Sequence, residues 1–154
     1  TPAKIELSSF IRVLADRLKQ MHSLKIPPLL KLQPGAVLAD AVELEVLLTN
    51  LLKNASEAAA CADIPYVELD MDTLPSGTVK LTNSCRPLTP AEQEALSSPL
   101  HSSKENGLGL GLAVVRSIAE RNETDLLLSE DVPGIFRVVL TFQPTDPRQE
   151  GAAP

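Results

Sequence analysis

Two short segments of this sequence carry side chains and backbone groups that could bind phosphate. The first is a loop at residues 102–112 with glycine at alternate positions, Gly107, Gly109 and Gly111. Alternate glycines let the backbone adopt positive φ and let a ligand come close. The pattern after Leu112 is helical, so unpaired N–H groups and the positive end of the helix dipole would face the loop. With Lys104 these groups suit a phosphate site, although the loop alone also fits a flexible lead-in to a helix.

The second segment lies on a long predicted helix from Asp40 to Ala60, which lacks Gly and Pro. Asp40 is the predicted N-cap, with Glu43 completing a capping box. Asn50 and Asn54 lie one turn apart on a single face. A buried amide without a partner costs about 1–3 kcal/mol, so both side chains need one. They could bond to each other or to the backbone; alternatively, Asn54 Oδ1 could bind Mg²⁺, whose other ligands would be phosphate oxygens and water.

Both segments resemble motifs of histidine-kinase ATP-binding domains, which belong to the GHKL superfamily. Asn50, Asn54 and Ala55 are similar to the N box. Residues 103–112, Ser-Lys-x-x-Gly-Leu-Gly-Leu-Gly-Leu, are similar to the G2 box. The resemblance covers residues 5–143, and the order of predicted elements agrees with it: N box, two strands, a variable lid, G2 box, a helix and two final strands.

The resemblance implies an α+β fold: a two-layer Bergerat-type sandwich with helices on one face of a mixed sheet. It also implies a site for ATP and Mg²⁺, with Asn54 as the metal ligand and Asn50 supporting the phosphates or the metal through water. The other implied phosphate contacts are Lys104 and the loop residues Gly107, Leu108, Gly109, Leu110, Gly111 and Leu112. We predict a single domain at residues 1–143 and a disordered tail at 144–154.

One region departs from the family pattern. Where the family has Asp-x-Gly-x-Gly, the G1 box at the adenine, this chain has Asn83-Ser-Cys85-Arg-Pro87. Asn83 follows Val79 and Leu81 on the buried face of a predicted strand, so its Oδ1 would accept from the adenine amino group without charge assistance. Cys85 and Pro87 add bulk where the family has glycine. We therefore expect either weakened nucleotide binding or a nucleotide-poor domain that works as an interaction module of a signalling complex.

The residue four positions before the predicted metal ligand separates two branches of the superfamily. In gyrase, chaperone and mismatch-repair ATPases a glutamate there is the general base toward water, whereas this chain has Asn50. Without a base, phosphoryl transfer to an external nucleophile is favoured over hydrolysis. The resemblance implies a histidine kinase, whose γ-phosphate passes to a His of a dimerisation domain and then to an Asp of a response regulator. A serine protein kinase of the same superfamily is an alternative.

The acceptor histidine is expected outside this chain, on the dimerisation and phosphoacceptor domain of the same parent protein. His22 and His101 are each followed by Ser rather than by an acidic residue. Neither lies in a helix-hairpin pattern, so we interpret both as surface or loop residues. The chain thus contains no predicted catalytic nucleophile of its own.

The composition is typical of one soluble domain. The 154 residues are 44% hydrophobic, enough to bury one core. A net charge of −6 and 3% aromatic residues argue against a nucleic-acid partner. No apolar run would span a bilayer, so we expect no direct membrane contact and a cytoplasmic location, either as a cytoplasmic protein or as the cytoplasmic part of a membrane-anchored sensor. Cys61 and Cys85 fit neither a disulfide framework nor a metal cluster, and Cys85 is either an inert thiol or a redox switch.

Hydrophobic periodicity predicts the remaining elements. Helices are expected at residues 6–22, 90–96 and 107–121. Strands are expected at residues 29–32, 66–72, 78–83, 124–129 and 135–142. Residues 96–106 would form a lid over the nucleotide.

Overall fold

The computed structural model of this protein describes residues 1–72, 77–96 and 112–145. Within these ranges the chain forms four helices and seven strands. The helices are α1 (Leu7–Gln20), α2 (Ala41–Ala60), α3 (Pro90–Leu96) and α4 (Leu112–Arg121). The strands are β1 (Ala3–Glu6), β2 (Leu29–Lys31), β3 (Ala36–Ala39), β4 (Val67–Asp72), β5 (Gly77–Ser84), β6 (Asp125–Val132) and β7 (Ile135–Pro144).

The strands form one mixed sheet in the order β1-β3-β7-β5-β4-β2, with β6 also paired to β7. The β2–β4 pair is parallel, and the other pairs are antiparallel. The longest ladder joins β5 to β7, from Gly77 opposite Phe142 to Ser84 opposite Ile135. This ladder places the end of β5 beside the turn between β6 and β7.

The helices cover one face of this sheet, which confirms the predicted two-layer α+β architecture. Alternate residues of the central strands are buried against α1, α2 and α4 in one hydrophobic cluster; they include Val67, Leu69, Met71, Val79, Leu81, Val138, Leu140 and Phe142. The other face carries polar side chains, among them the ion pair between Lys31 and Glu68 at 3.0 Å. This alternation is the period-two pattern of a sheet with a single buried face.

Helix α2 is the central element of the helical layer, and its N-terminus shows a correction to the prediction. Asp40 is the N-cap, since its carboxylate accepts from the backbone N–H of Glu43 at 3.0 Å. The second bond of the predicted capping box, from the Asp40 N–H to the Glu43 carboxylate, is wrong, because Asn122 Oδ1 accepts from the Asp40 N–H at 2.8 Å. The Glu43 carboxylate instead accepts from Arg121 at 2.7 Å and from Asn122 at 3.0 Å.

Two strands of the sheet were not predicted. β1, with the sequence Ala3-Lys-Ile-Glu6, alternates apolar and polar residues over only four positions, three of them exposed, and β3, with the sequence Ala36-Val-Leu-Ala39, shows no such alternation. They pair with each other, and β3 also pairs with the last two residues of β7. Their partners far along the chain, rather than local pattern, define them as strands.

Several predictions fall on parts of the chain that the structure does not describe. These are most of the lid, the first five residues of the predicted helix at 107–121, and most of the tail at 144–154. The domain extent of residues 1–143 stays a prediction. No helix in the described ranges is long and apolar enough to cross a membrane.

Candidate functional site

A small cavity of about 60 Å³ lies between α2, β5, β7 and the start of α4. Its walls are mostly apolar, and the two amide side chains of Asn54 and Asn83 provide the polar groups. The lining residues are Leu51, Asn54, Ala55, Ala58, Leu81, Asn83, Leu88, Leu112, Phe136 and Val138. Three residues that the sequence predicted as ligand contacts, Asn54, Asn83 and Leu112, therefore meet around one cavity. An apolar cavity with a few convergent polar groups is the usual form of a small-molecule site.

The two asparagines of α2 have different surroundings. Both are half-buried, but Asn54 lines the cavity whereas Asn50 does not. Asn50 Nδ2 donates to the backbone carbonyl of Val46 at 2.8 Å, one turn earlier on the helix. Asn50 thus has the backbone partner that one interpretation of the pair expected, and only Asn54 is placed directly at the cavity.

Asn83 is 2% exposed and lies at the end of β5, between Val67 of β4 and Phe136 of β7. Its Nδ2 donates to the backbone carbonyl of Ser84 at 2.9 Å. One N–H of the amide is used in this bond, which fixes its orientation, and Oδ1 is the atom that can accept from a ligand. The buried face predicted for this strand is confirmed.

Residues 85–89, which contain Cys85 and Pro87 of the altered G1 box and the residues that follow, are held against the turn between β6 and β7. The Cys85 N–H donates to the Gly134 carbonyl at 2.9 Å. Glu130 Oε2 accepts from the N–H groups of Leu88 and Gly134, each at 3.0 Å. Gly134 has a φ of +86°, a conformation that favours glycine. The segment is therefore fixed by carboxylate and carbonyl acceptors rather than by glycine turns of its own.

A second carboxylate fixes the other end of this segment. Glu92 is 4% exposed, accepts from the Thr89 N–H at 2.9 Å and pairs with Arg86 at 3.1 Å. The Glu92 N–H donates to Thr89 Oγ1 at 3.2 Å, which completes a capping box at the start of α3. Burial raises the pKa of Glu92, but the hydrogen bonds from Thr89 and Arg86 outweigh burial and leave this pKa below its ordinary value.

The surroundings of Cys85 favour an inert thiol over a redox switch. Burial, and secondly the negative charge of Glu130, raise the pKa of the Cys85 thiol. Because the thiolate is the reactive form, a raised pKa lowers reactivity. Cys61 is exposed at the end of α2 and is not among the residues that line the cavity.

A network that sequence reasoning missed connects α4 to α2. Besides accepting from Asp40, Asn122 donates to Glu43 and to the Ile118 carbonyl, the latter at 2.9 Å. The hydrogen bond from Arg121 lowers the pKa of Glu43, burial raises it, and the hydrogen bond from Asn122 lowers it again. The net result is a pKa below the ordinary value. The network joins the end of α4 to the start of α2, so it fixes the helix that carries Asn54 relative to the helix that follows the glycine-rich loop. The spacing of Asn122 from α2 in the sequence gives no signal for it.

Most of the predicted phosphate contacts cannot be located. Lys104, Gly107, Leu108, Gly109, Leu110 and Gly111 lie outside the described residues, as does His101. Leu112 begins α4 and is buried at the cavity. His22 is exposed just after α1, where its φ is +55°.

Residues 39–146 match the family described as histidine kinase-, DNA gyrase B-, and HSP90-like ATPase. The C4-dicarboxylate transport sensor protein DctS of Rhodobacter capsulatus is 29% identical over 136 residues, which is 85% of this chain and 20% of that protein. Sensor histidine kinase ZraS of Salmonella typhimurium is 33% identical over 84 residues, or 54% of this chain and 18% of that protein. The chain thus spans about a fifth of the length of these relatives.

Solved structures of histidine kinases share the fold. The nucleotide-free catalytic domain of histidine kinase ThkA has a TM-score of 0.74 at 21% identity, over 94% of this chain and 97% of that one. The mycobacterial sensor histidine kinase MprB has a TM-score of 0.68 at 18% identity, over 93% of this chain and 100% of that one.

Proposed function

This chain belongs to the family of histidine kinase-, DNA gyrase B- and HSP90-like ATPases, and we propose that it is the ATP-binding domain of a sensor histidine kinase. The family match and the relatives support kinase membership. The observation that carries the proposed site is the cavity on which Asn54, Asn83 and Leu112 converge from three elements far apart in the sequence.

The β5 side of the cavity suits the edge of an adenine base. One N–H of Asn83 Nδ2 is bonded to the Ser84 carbonyl, and Oδ1 on the other side of the amide offers an acceptor to a ligand. The 6-amino group of adenine would donate to that acceptor, whereas the 6-oxo group of guanine would meet it as a second acceptor. Leu88 and Phe136 provide apolar walls for the base. We therefore propose selectivity for ATP over GTP.

The α2 side of the cavity suits the metal and the phosphates. Asn54 would supply an amide oxygen to Mg²⁺, which proteins usually bind through one or two of their own oxygens together with the phosphates and water. Asn50 would act from one turn away through Oδ1, because its Nδ2 is bonded to Val46. Lys104 and the backbone of residues 107–112 would hold the phosphates.

The reaction we propose is transfer of the γ-phosphate to a histidine of the dimerisation domain and then to an aspartate of a response regulator. Bound ATP supplies the phosphoryl group. Asn50 cannot take a proton from water at this site, which favours transfer to a protein nucleophile over hydrolysis. The dimerisation domain would belong to the same parent protein, and the response regulator would be its partner protein.

One observation favours a second candidate, a nucleotide-poor interaction module. Sites for small ligands usually measure about 300–1,000 Å³, and this cavity measures about 60 Å³. Admitting a purine would require its walls to move, at a cost in affinity. The carboxylates that hold residues 85–89 oppose such movement.

Calorimetric titration of the chain with ATP and with GTP, each with Mg²⁺ and with EDTA, distinguishes the two candidates. The proposed function predicts binding of ATP that depends on Mg²⁺ and exceeds that of GTP. At a hundredfold excess of ligand over Kd, binding should add about 2.7 kcal/mol to the free energy of unfolding. No heat and no thermal shift at millimolar ATP would favour the interaction module.

A further inference from the structure

Glu130 connects three elements at the β5 end of the cavity. It lies on β6 beside the irregular pairing between Ser129 and Val132. Its Oε2 accepts from the N–H groups of Leu88 and Gly134 at 3.0 Å and lies 4.0 Å from the Cys85 thiol. Its Oε1 accepts from the side-chain amide of Gln93 on α3. One carboxylate therefore contacts the segment 85–89, the β6–β7 turn and α3.

These contacts lead directly to the polar group at the cavity. The Leu88 N–H is bonded to Glu130, and the Leu88 side chain lines the cavity. Gly134, bonded to the same oxygen, accepts from the Cys85 N–H. The residue before Cys85 is Ser84, whose carbonyl accepts from Asn83 Nδ2 and so orients the amide. A shift of the segment would move both the wall and the acceptor of the cavity.

We propose that Glu130 is a positioning residue for the base end of the nucleotide site, an inference that rests on the proposed function. A segment that contains Cys85, Arg86 and Pro87 cannot form the tight glycine turns that the family pattern provides. Its backbone N–H groups still need acceptors when they are removed from water. Glu130 supplies the acceptor from the neighbouring hairpin and thereby keeps Leu88 and Asn83 in place.

The first test compares Glu130→Ala with Glu130→Gln in the whole chain, by titration with ATP and GTP in Mg²⁺. Glu130→Ala should weaken ATP binding about tenfold, or ~1.4 kcal/mol, and should lower the preference for ATP over GTP. Glu130→Gln should stay within about twofold of the wild type, because its one carbonyl oxygen can still accept from both backbone N–H groups. The matched control is Asp131→Ala, which removes an exposed carboxylate next to Glu130 on the same strand.

Each outcome of this experiment supports or overturns the assignment. Wild-type affinity in a folded Glu130→Ala variant overturns it, as do equal losses for ATP and GTP, which would indicate only a general loosening. If Glu130→Ala does not fold, Glu130→Asp keeps the charge but shortens the reach, and it should show the same loss of base preference. Absence of ATP binding by the wild type overturns the proposed function itself, whereas binding by an unaffected variant overturns only the role of Glu130.

Discussion

The two ends of the cavity are built in different ways. At the α2 end, Asn54 lies on a twenty-residue helix with eight buried residues, and the family spacing of the N box is intact. At the β5 end, Cys85 and Pro87 stand where the family pattern has glycine, and Glu130 and Glu92 hold residues 85–89 in place. The proposed metal end thus depends on one helix, and the proposed base end depends on contacts among β5, β6, β7 and α3.

Because of this difference, we expect a substitution at the α2 end to cause a larger loss of ATP affinity than a substitution at the β5 end. The oxygen proposed to bind Mg²⁺ directly belongs to one side chain, Asn54, and Asn50 would act only from one turn away, so the loss of Asn54 should be severe. At the base end several hydrogen bonds together hold residues 85–89, so the loss of one should reduce ATP affinity only in part. Three substitutions test this comparison.

The largest effect is expected from Asn54→Ala at the α2 end. The variant loses the amide oxygen proposed to bind Mg²⁺, so the Mg²⁺-dependent part of ATP affinity should fall by about 100-fold or more. Calorimetric titration with and without EDTA measures this part. Lys53→Ala, at an exposed neighbouring position of α2, is the control and should bind ATP like the wild type. Unchanged Mg²⁺ dependence in Asn54→Ala would place the metal elsewhere.

An intermediate effect is expected from Asn83→Asp, which restores the family residue at the base end. In the wild type the Ser84 carbonyl oxygen lies 2.9 Å from Asn83 Nδ2. A carboxylate would place an oxygen against that carbonyl, so the free energy of unfolding should fall by about 1–3 kcal/mol without ligand. Charge assistance should at the same time strengthen the bond to adenine.

Two measurements on this variant keep the opposing effects apart. Urea unfolding without nucleotide measures the loss in the free energy of unfolding, and titration with ATP measures the increase in affinity. Lower stability with tighter ATP binding would show that the cavity can open to a base. Lower stability with no gain would indicate that Cys85 and Pro87 block the base. Unchanged stability would contradict the orientation of the Asn83 amide.

The sequence predicted the α2 end better than the β5 end, for a physical reason. Asp40, Asn50 and Asn54 lie within one helix, where capping and periodicity are local properties of the chain. At the β5 end the contact of Glu130 with Leu88 crosses 42 residues, and even at the start of α2 the contact of Asn122 with Asp40, which was not predicted, crosses 82. Such pairs form only after the sheet is assembled, and no local spacing indicates them.

The same reasoning explains the smaller errors. β1 and β3 are strands because they pair with each other and β3 also pairs with β7, although β1 is only four residues long and β3 has no alternation of polar and apolar residues. Glu43 has the position expected for a capping box, yet its carboxylate binds Arg121 and Asn122 instead. In each case partners distant in sequence decide the structure.

The smallest effect is expected from Glu92→Gln, which tests whether the second carboxylate of the base end contributes independently of Glu130. The glutamine can still accept from the Thr89 N–H, but its amide donors would face Arg86, which is largely exposed. The free energy of unfolding should fall by about 1 kcal/mol at about pH 7. Glu120→Gln, at an exposed position on α4, makes the same charge change and should have little effect.

The pH dependence of this loss distinguishes charge from shape. The pKa of Glu92 is lower in the folded chain than its ordinary value of 4.5, so its carboxylate contributes stability that is fully present above that value. This stability is lost as the pH falls through the folded pKa. The difference between wild type and Glu92→Gln in urea unfolding should therefore shrink below about pH 4. A difference that stays constant to about pH 3 would mean that packing, rather than the charged contacts with Thr89 and Arg86, holds this end of the segment.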